Sequence, residues 1–273
     1  SLSSRGTLAF SAVSLDMNLW AIDLRGDGSP GEPTRLTSDT IRNGQPAYAP
    51  DGRVTFIQHG TGRPLLSWVM RGDGQGRELI LGETEARNPL WSRDGSRILV
   101  VRDTPTPTLW WVDAATRRTA ETPVTGADIN NPTLSPDSRL VAFHAVDASG
   151  TMNVWTQPLD GGARRRVTHD QEAVSYPVWS PDGRTLAVEI KRGDQTQVGI
   201  VASAGGTVEP VTADVGQSWP HSWSPDGLRI AFAGERNGIW NIYSVSATSE
   251  TVTPLTRLTS SSGWVRSPAW SPD

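Results

Sequence analysis

Residues 223–232 read WSPDGLRIAF, and the pattern returns as WSPDGRTLAV at 179, WSRDGSRILV at 91, LSPDSRLVAF at 134 and YAPDGRVTF at 48; the chain then stops on WSPD at 270–273. The motif has a direct physical reading. Pro presets φ at the second turn position, Asp bonds its own backbone, and Gly takes the left-handed residue that follows a type I turn. Pro-x-Trp precedes the turn, as at Pro177–Trp179, and a run such as Thr185, Leu186, Ala187, Val188 follows it. Each copy therefore predicts two antiparallel strands joined by a tight hairpin.

With the position of Trp91 as marker, the copies fall at Tyr48, Trp91, Leu134, Trp179, Trp223 and Trp270, at spacings of 43, 43, 45, 44 and 47 residues. Such periods indicate propeller blades or other repeat arrays. A third strand recurs as NLWAID at 18, TLWWVD at 108, NVWTQP at 153 and NIYSVS at 241, and a fourth as TRLT at 34, RRVT at 165 and TRLT at 256. Four short strands per unit make a β-propeller blade. The terminal WSPD lacks its following strand, and SRGTLAF at 4–10 has the character of that strand. The expectation is an all-β, six-bladed propeller of four-stranded blades, one domain over 1–273. Its N- and C-terminal segments share a blade, with the innermost strand near 264–270 and three outer strands near 7–37. Closure removes the open sheet edges.

Composition narrows the function. The 27 Gly and 20 Pro belong mostly to turns, and no apolar run approaches the roughly 18 residues of a membrane helix, so no membrane insertion is expected. No signal peptide is evident, as expected of a trimmed or mature form. The absence of Cys excludes disulfides and thiolate chemistry. A net charge of −4 argues against nucleic acid as partner. Arg164, Arg165 and Arg166 read as a charged edge strand that discourages sheet-to-sheet pairing.

The combination of PxWSPDGxxLAF, then NIW or NIY, then a Gly/Asp turn, then RRVT or TRLT resembles the WD40-like propeller repeats of the TolB family, across essentially the whole chain. The resemblance implies a non-catalytic propeller that binds a protein or peptide, located in the periplasm or otherwise outside the cytoplasm. A monomer without cofactor is expected. Similar repeats occur in the propeller halves of prolyl oligopeptidase-like enzymes and in sensor regions of bacterial kinases and regulators. The α/β domain that precedes the propeller in TolB has no counterpart in these residues, so a sensor or scaffold module of a larger protein is the alternative reading.

Repeats separate structural residues from candidate ones: a residue type that recurs at one blade position serves the blade, and an exception invites a functional question. Trp91, Trp179, Trp223 and Trp270 recur at the marker and Trp20, Trp110 and Trp155 in the third strand, so they read as packing; Trp68, Trp111 and Trp240 read as packing out of register. Trp219 and Trp264 remain, in loops leading to innermost strands, as candidates for a recognition surface or for loop bracing. Asp39, Glu83, Asp170 and Asp214, two residues after the fourth strand, read as turn formers, as do Asp51, Asp94, Asp137, Asp182, Asp226 and Asp273 in the hairpins. Asp27 and Asp73, in GDG turns, lack the other ligands of a calcium loop.

Catalysis finds little support. No G-x-S-x-G elbow occurs, the His at 59, 144, 169 and 221 lack metal-ligand spacing, and an axial-site hydrolase or lyase would need acids that the inner-strand starts do not supply. Those starts are nonetheless the best place for a site. Three before the marker stand Gln45, Asn88, Asn131, Tyr176, Pro220 and Ser267; four before stand Gly44, Arg87, Asn130, Ser175, Trp219 and Arg266. With Asn43, His221 (which replaces the Pro of the other copies) and Trp264, they predict a polar channel mouth. Arg87 and Arg266 would meet a carboxylate there and Asn side chains a peptide backbone; a channel lined by polar groups merely because it holds water is the plain alternative.

Overall fold

A computed structural model describes residues 7–13, 17–26, 28–39, 41–59, 64–103, 105–126, 129–169, 172–213, 216–260 and 264–272, with the side chains of 7–13 and 264 excepted. Asp27, Asp170, Asp214 and Asp273, assigned above to turns, lie outside the described residues, as does the start of SRGTLAF.

Among the described residues every element is a strand, and the strands form four-stranded antiparallel sheets. One sheet runs from β4 (Arg42–Tyr48) through β5 (Val54–His59) and β6 (Leu66–Met70) to β7 (Glu78–Leu79). The next comprises β8 (Arg87–Trp91), β9 (Arg97–Arg102), β10 (Thr108–Asp113) and β11 (Thr119–Thr125). It is followed by β12 (Asn130–Leu134), β13 (Leu140–Val146), β14 (Met152–Pro158) and β15 (Arg165–Arg166), and then by β16 (Ala173–Trp179), β17 (Thr185–Arg192), β18 (Gln195–Ala202) and β19 (Glu209–Pro210). The fifth holds β20 (Gln217–Trp223), β21 (Arg229–Arg236), β22 (Ile239–Ser246) and β23 (Val252–Pro254). The last lays β24 (Trp264–Trp270) against β1 (Thr7–Val13), β2 (Met17–Asp23) and β3 (Thr34–Arg35).

The expected count of six blades is corrected accordingly. The blades made in one pass of the chain are five, not six; the remaining four-stranded sheet is assembled from the two ends, with Leu8 opposite Trp270 and Val13 opposite Trp264. The strands that open each sheet, β4, β8, β12, β16, β20 and β24, touch one another in that order and β24 returns to β4, which closes the ring.

The core lies between blades rather than inside one. Ile80, Ala86, Trp91 and Ile98 fill one seam, Val124, Ile129, Val141 and Phe143 the next, and Leu19, Leu36, Val54 and Phe56 the seam beside the composite sheet. Phe56, Phe143 and Phe232 occupy the same place on the second strands of alternate sheets and are fully buried. Opposite them on the third strands stand Trp68, Trp155 and Tyr243, with Trp20 and Trp110 at the equivalent register in other sheets. Trp68 is thus in register with the other packing tryptophans, contrary to its placement by sequence.

The hairpin chemistry recurs as read. Ser92, Ser135, Ser180 and Ser224 each donate from Oγ to the Asp two residues on, at 2.5–2.7 Å, and the same carboxylates accept a backbone N–H beyond the turn. A second repeated device was not read. Thr37, Thr168 and Thr256 accept the N–H of Leu19, Val154 and Ile242 at 2.8–3.0 Å and donate to Asn18, Asn153 and Asn241 at 2.8–2.9 Å. This pairing places the fourth strand of the fifth sheet at Val252–Pro254, so the equivalent of TRLT at 34 is Thr253–Thr256 and not the TRLT at 256. Arg165 donates to the carbonyls of Ser203 and Ala204 at 2.6 and 2.7 Å, tying neighbouring sheets together as well as charging an edge.

Candidate functional site

Each innermost strand carries a bulge at the same place. In β4 the register steps from Gly44 to Ala47, in β8 from Arg87 to Leu90, in β12 from Asn130 to Thr133 and in β16 from Ser175 to Val178. The residue that begins the bulge is left-handed: Gln45 at φ 50°, Asn88 at 51°, Asn131 at 42°, Tyr176 at 48° and Ser267 at 57°. Asn is the non-glycine residue that takes this conformation at least cost, which is one reason for Asn at two of these sites. In β20 the ring of Pro220 forbids positive φ, and the extra residue is His221, between Pro220 and Ser222.

The bulges turn these residues toward the axis. An axial cavity of about 430 Å³ takes wall from β4, β8, β12, β16, β20 and β24, with Gln45, Asn88, Asn131, Tyr176, Trp219 and His221 among its lining. Arg266 is the one Lys, Arg, Asp or Glu among the described lining residues. Burial first, then the neighbouring charge of Arg42, pushes its guanidinium pKa down. His59, also in the wall, is held below its ordinary value by burial, then by Arg266 and Arg42. Burial pushes His221 down to about 3, so its imidazole is neutral at pH 7. Two polar atoms of the wall, Gln45 Oε1 and His221 Nε2, are buried without a hydrogen-bond partner among the described residues. The mouth is therefore a set of neutral hydrogen-bonding groups around a cationic corner, a pattern suited to an anion with polar groups beside it.

A match to the TolB beta propeller domain covers residues 125–273, more than half of the chain. The chain belongs to the TolB beta propeller family. TolB of Acinetobacter baumannii superposes with a TM-score of 0.76 at 22% identity, over 97% of this chain and 66% of that one. A putative TolB of Agrobacterium tumefaciens gives 0.73 at 18%, over 97% and 98%. These likenesses show the fold. By sequence, the chain is 33% identical over 116 residues to the uncharacterized peptidase YuxL of Bacillus subtilis, 39% of this chain and 17% of that protein. It thus spans less than a fifth of that relative's length.

Not every predicted site residue reaches the mouth of this TolB-type propeller. Arg87 is held in a bidentate pair with Asp103, Nε to Oδ2 and Nη2 to Oδ1 both at 2.8 Å, and donates to Asn88 Oδ1 at 3.0 Å. Asn43 is fully buried, donating to Asp39 Oδ2 at 2.9 Å and accepting from Gln58 at 3.2 Å. Asp39 also receives Arg77 Nη1 at 2.6 Å, so it braces two sheets rather than only closing a turn. Asn130 is exposed on β12, opposite His144. Trp219 lies in strand β20 rather than in a loop, packed on Trp240 at 4.4 Å. Trp264 begins β24, and its side chain lies outside the described residues.

The acid that sequence reasoning missed is Glu189. It sits on a second strand, opposite Ser175, where the other sheets place Ile57, Val101, His144, Ala233 and Ser11. Laying the second strands in the register of the markers exposes it as an exception. Its side chain is 7% exposed, accepts from Ser175 Oγ, and is also hydrogen-bonded by Thr196 and Trp219. Burial pushes its carboxyl pKa up, against those hydrogen bonds and the charge of Lys191. The neighbouring exception, His144, accepts the Tyr176 N–H at Nδ1, 3.2 Å away, and burial lowers it to about 4.

Proposed function

We propose that this chain is a non-catalytic TolB-type propeller module that binds an extended segment of a protein or peptide partner across the axial mouth, with an anionic group of the segment at Arg266. One observation carries the reading: a polar cavity walled by every innermost strand, with Arg266 as its cationic side chain and two hydrogen-bonding atoms, Gln45 Oε1 and His221 Nε2, lacking a partner among the described residues. A strand-like peptide brings backbone groups at a spacing that such a ring can meet, and its terminal carboxylate or an acidic side chain can accept from a guanidinium. An extracytoplasmic location belongs to the same reading and rests on the likeness to TolB. The test presents the chain with an immobilised random heptapeptide library, once with free C-terminal carboxylates and once amidated and depleted of Asp and Glu. Preferential retention of acidic members, lost in Arg266→Gln with an unchanged melting temperature, is expected; equal retention of both libraries overturns the reading.

The short coverage of YuxL favours a second reading, in which the propeller is one module of a longer peptidase. Its test is the reading frame on either side of these residues: a flanking hydrolase domain establishes it, and its absence removes it.

A further inference from the structure

A second cavity, of about 660 Å³, opens beside the axial mouth between the sheets headed by β12, β16 and β20. Glu189 lies in its wall with Tyr176, Trp219, His144 and Lys191. The chemistry differs from that of the axis. Its carboxylate is buried, accepts from Ser175 Oγ with Thr196 and Trp219 as polar neighbours, and forms no ion pair among the described residues. Lys191, two residues along the same strand and exposed at the lip, acts on it only through space. Aromatic rings stand around it: His144 and Tyr176 tilt together at 5.2 Å, and Trp219 is fixed by Trp240 at 4.4 Å. A buried carboxylate with aromatic side chains in the same cavity wall is a combination that holds an organic cation, through charge pairing and packing against the rings. A strand position that carries Ile, Val or Ala in three other sheets has no structural need of an acid.

We propose that this cavity is a binding site for an organic cation, a primary ammonium or guanidinium on an alkyl stem such as a Lys or Arg side chain, with Glu189 as counter-ion and Tyr176 and Trp219 as walls. The site adjoins the axial mouth and shares Tyr176 and Trp219 with its wall, but its charged group is Glu189 rather than Arg266.

Isothermal titration of the whole chain with N-acetyl-lysine amide, against its 2-aminoheptanoic acid isostere with methyl in place of the ammonium, tests the proposal. The lysine compound is expected to bind and the isostere to bind at least tenfold more weakly. Glu189→Gln keeps the shape and the Ser175 hydrogen bond, and is expected to weaken lysine binding at least tenfold with little change in melting temperature. Lys191→Met removes the competing charge at the lip and is expected to tighten binding severalfold, which serves if the glutamine variant folds poorly. Equal affinity for the two compounds, or lysine binding unchanged by Glu189→Gln and by Lys191→Met, overturns the proposal. Arg266→Gln is expected to leave lysine binding intact, so a failure at the axial mouth is distinguishable from a failure here.

Discussion

Asn131 shows how a side chain can look functional while serving the backbone. Its φ of 42° is a conformation that costs most residues about 1–2 kcal/mol, and Asn less. The same residue lines the axial cavity, so backbone strain and ligand contact act on one position. Asn131→Gly is expected to keep the melting temperature within about 2 °C, whereas Asn131→Val should lower it by several degrees, since a β-branched residue resists positive φ. Differential scanning calorimetry separates the two, and equal melting temperatures would remove the backbone explanation. The polar mouth was legible residue by residue because non-repetition stands out in a repeat. Its bulges were not, because αL geometry at Tyr176 or Ser267 leaves no compositional trace.

At the scale of the element, the very short outermost strands are held less by their own ladders than by the threonine clasp. β15 contributes two residues to the ladder, yet Thr168 just beyond it satisfies both the Val154 N–H and Asn153 Oδ1 in a fully buried place. Thr168→Val keeps the volume and leaves that donor and acceptor without a partner, so a loss of about 1–3 kcal/mol in urea unfolding is expected; a loss below about 0.5 kcal/mol would mean that the clasp is incidental. Phe143, fully buried in the seam between adjacent blades, gives the larger effect: Phe143→Ala should cost about 3–5 kcal/mol by the same measurement. Strand identity was readable from period-two patterning and turn residues. The Thr–Asn pairing was not, because its members lie 15 to 19 positions apart and meet only when the third and fourth strands pair.

Across the whole molecule, buried titratable groups give stability a pH dependence. Burial holds His144 at about 4, below its ordinary 6.5. Between those values the unfolded chain binds more protons than the folded one, so stability rises with pH through that window and falls as pH drops from about 6.5 to 4. The full shift corresponds to about 3 kcal/mol. Glu189 acts in the opposite sense: its raised folded pKa favours the folded state below the ordinary carboxyl range and costs stability as pH rises above it. Melting curves between pH 4 and 7 are expected to show a fall on acidification that His144→Gln flattens, and an unchanged profile in that variant would place the dependence elsewhere, His221 being the next group to examine.

The sequence by itself determined the strands, the hairpin turns, the period of the repeat and the sharing of a sheet by the two ends, because these follow from local φ preferences and from apolar residues alternating at short range. Only the tertiary structure decided which polar residues face a common space. Arg87 and Arg266 stand at the same repeat position, yet one is closed into a bidentate pair with Asp103 while the other lies in the axial wall. Glu189, silent within its own strand, acquires its chemistry from Tyr176 and Trp219 on neighbouring strands. Burial and charge pairing depend on distances across sheets, and those distances are set when the ring closes.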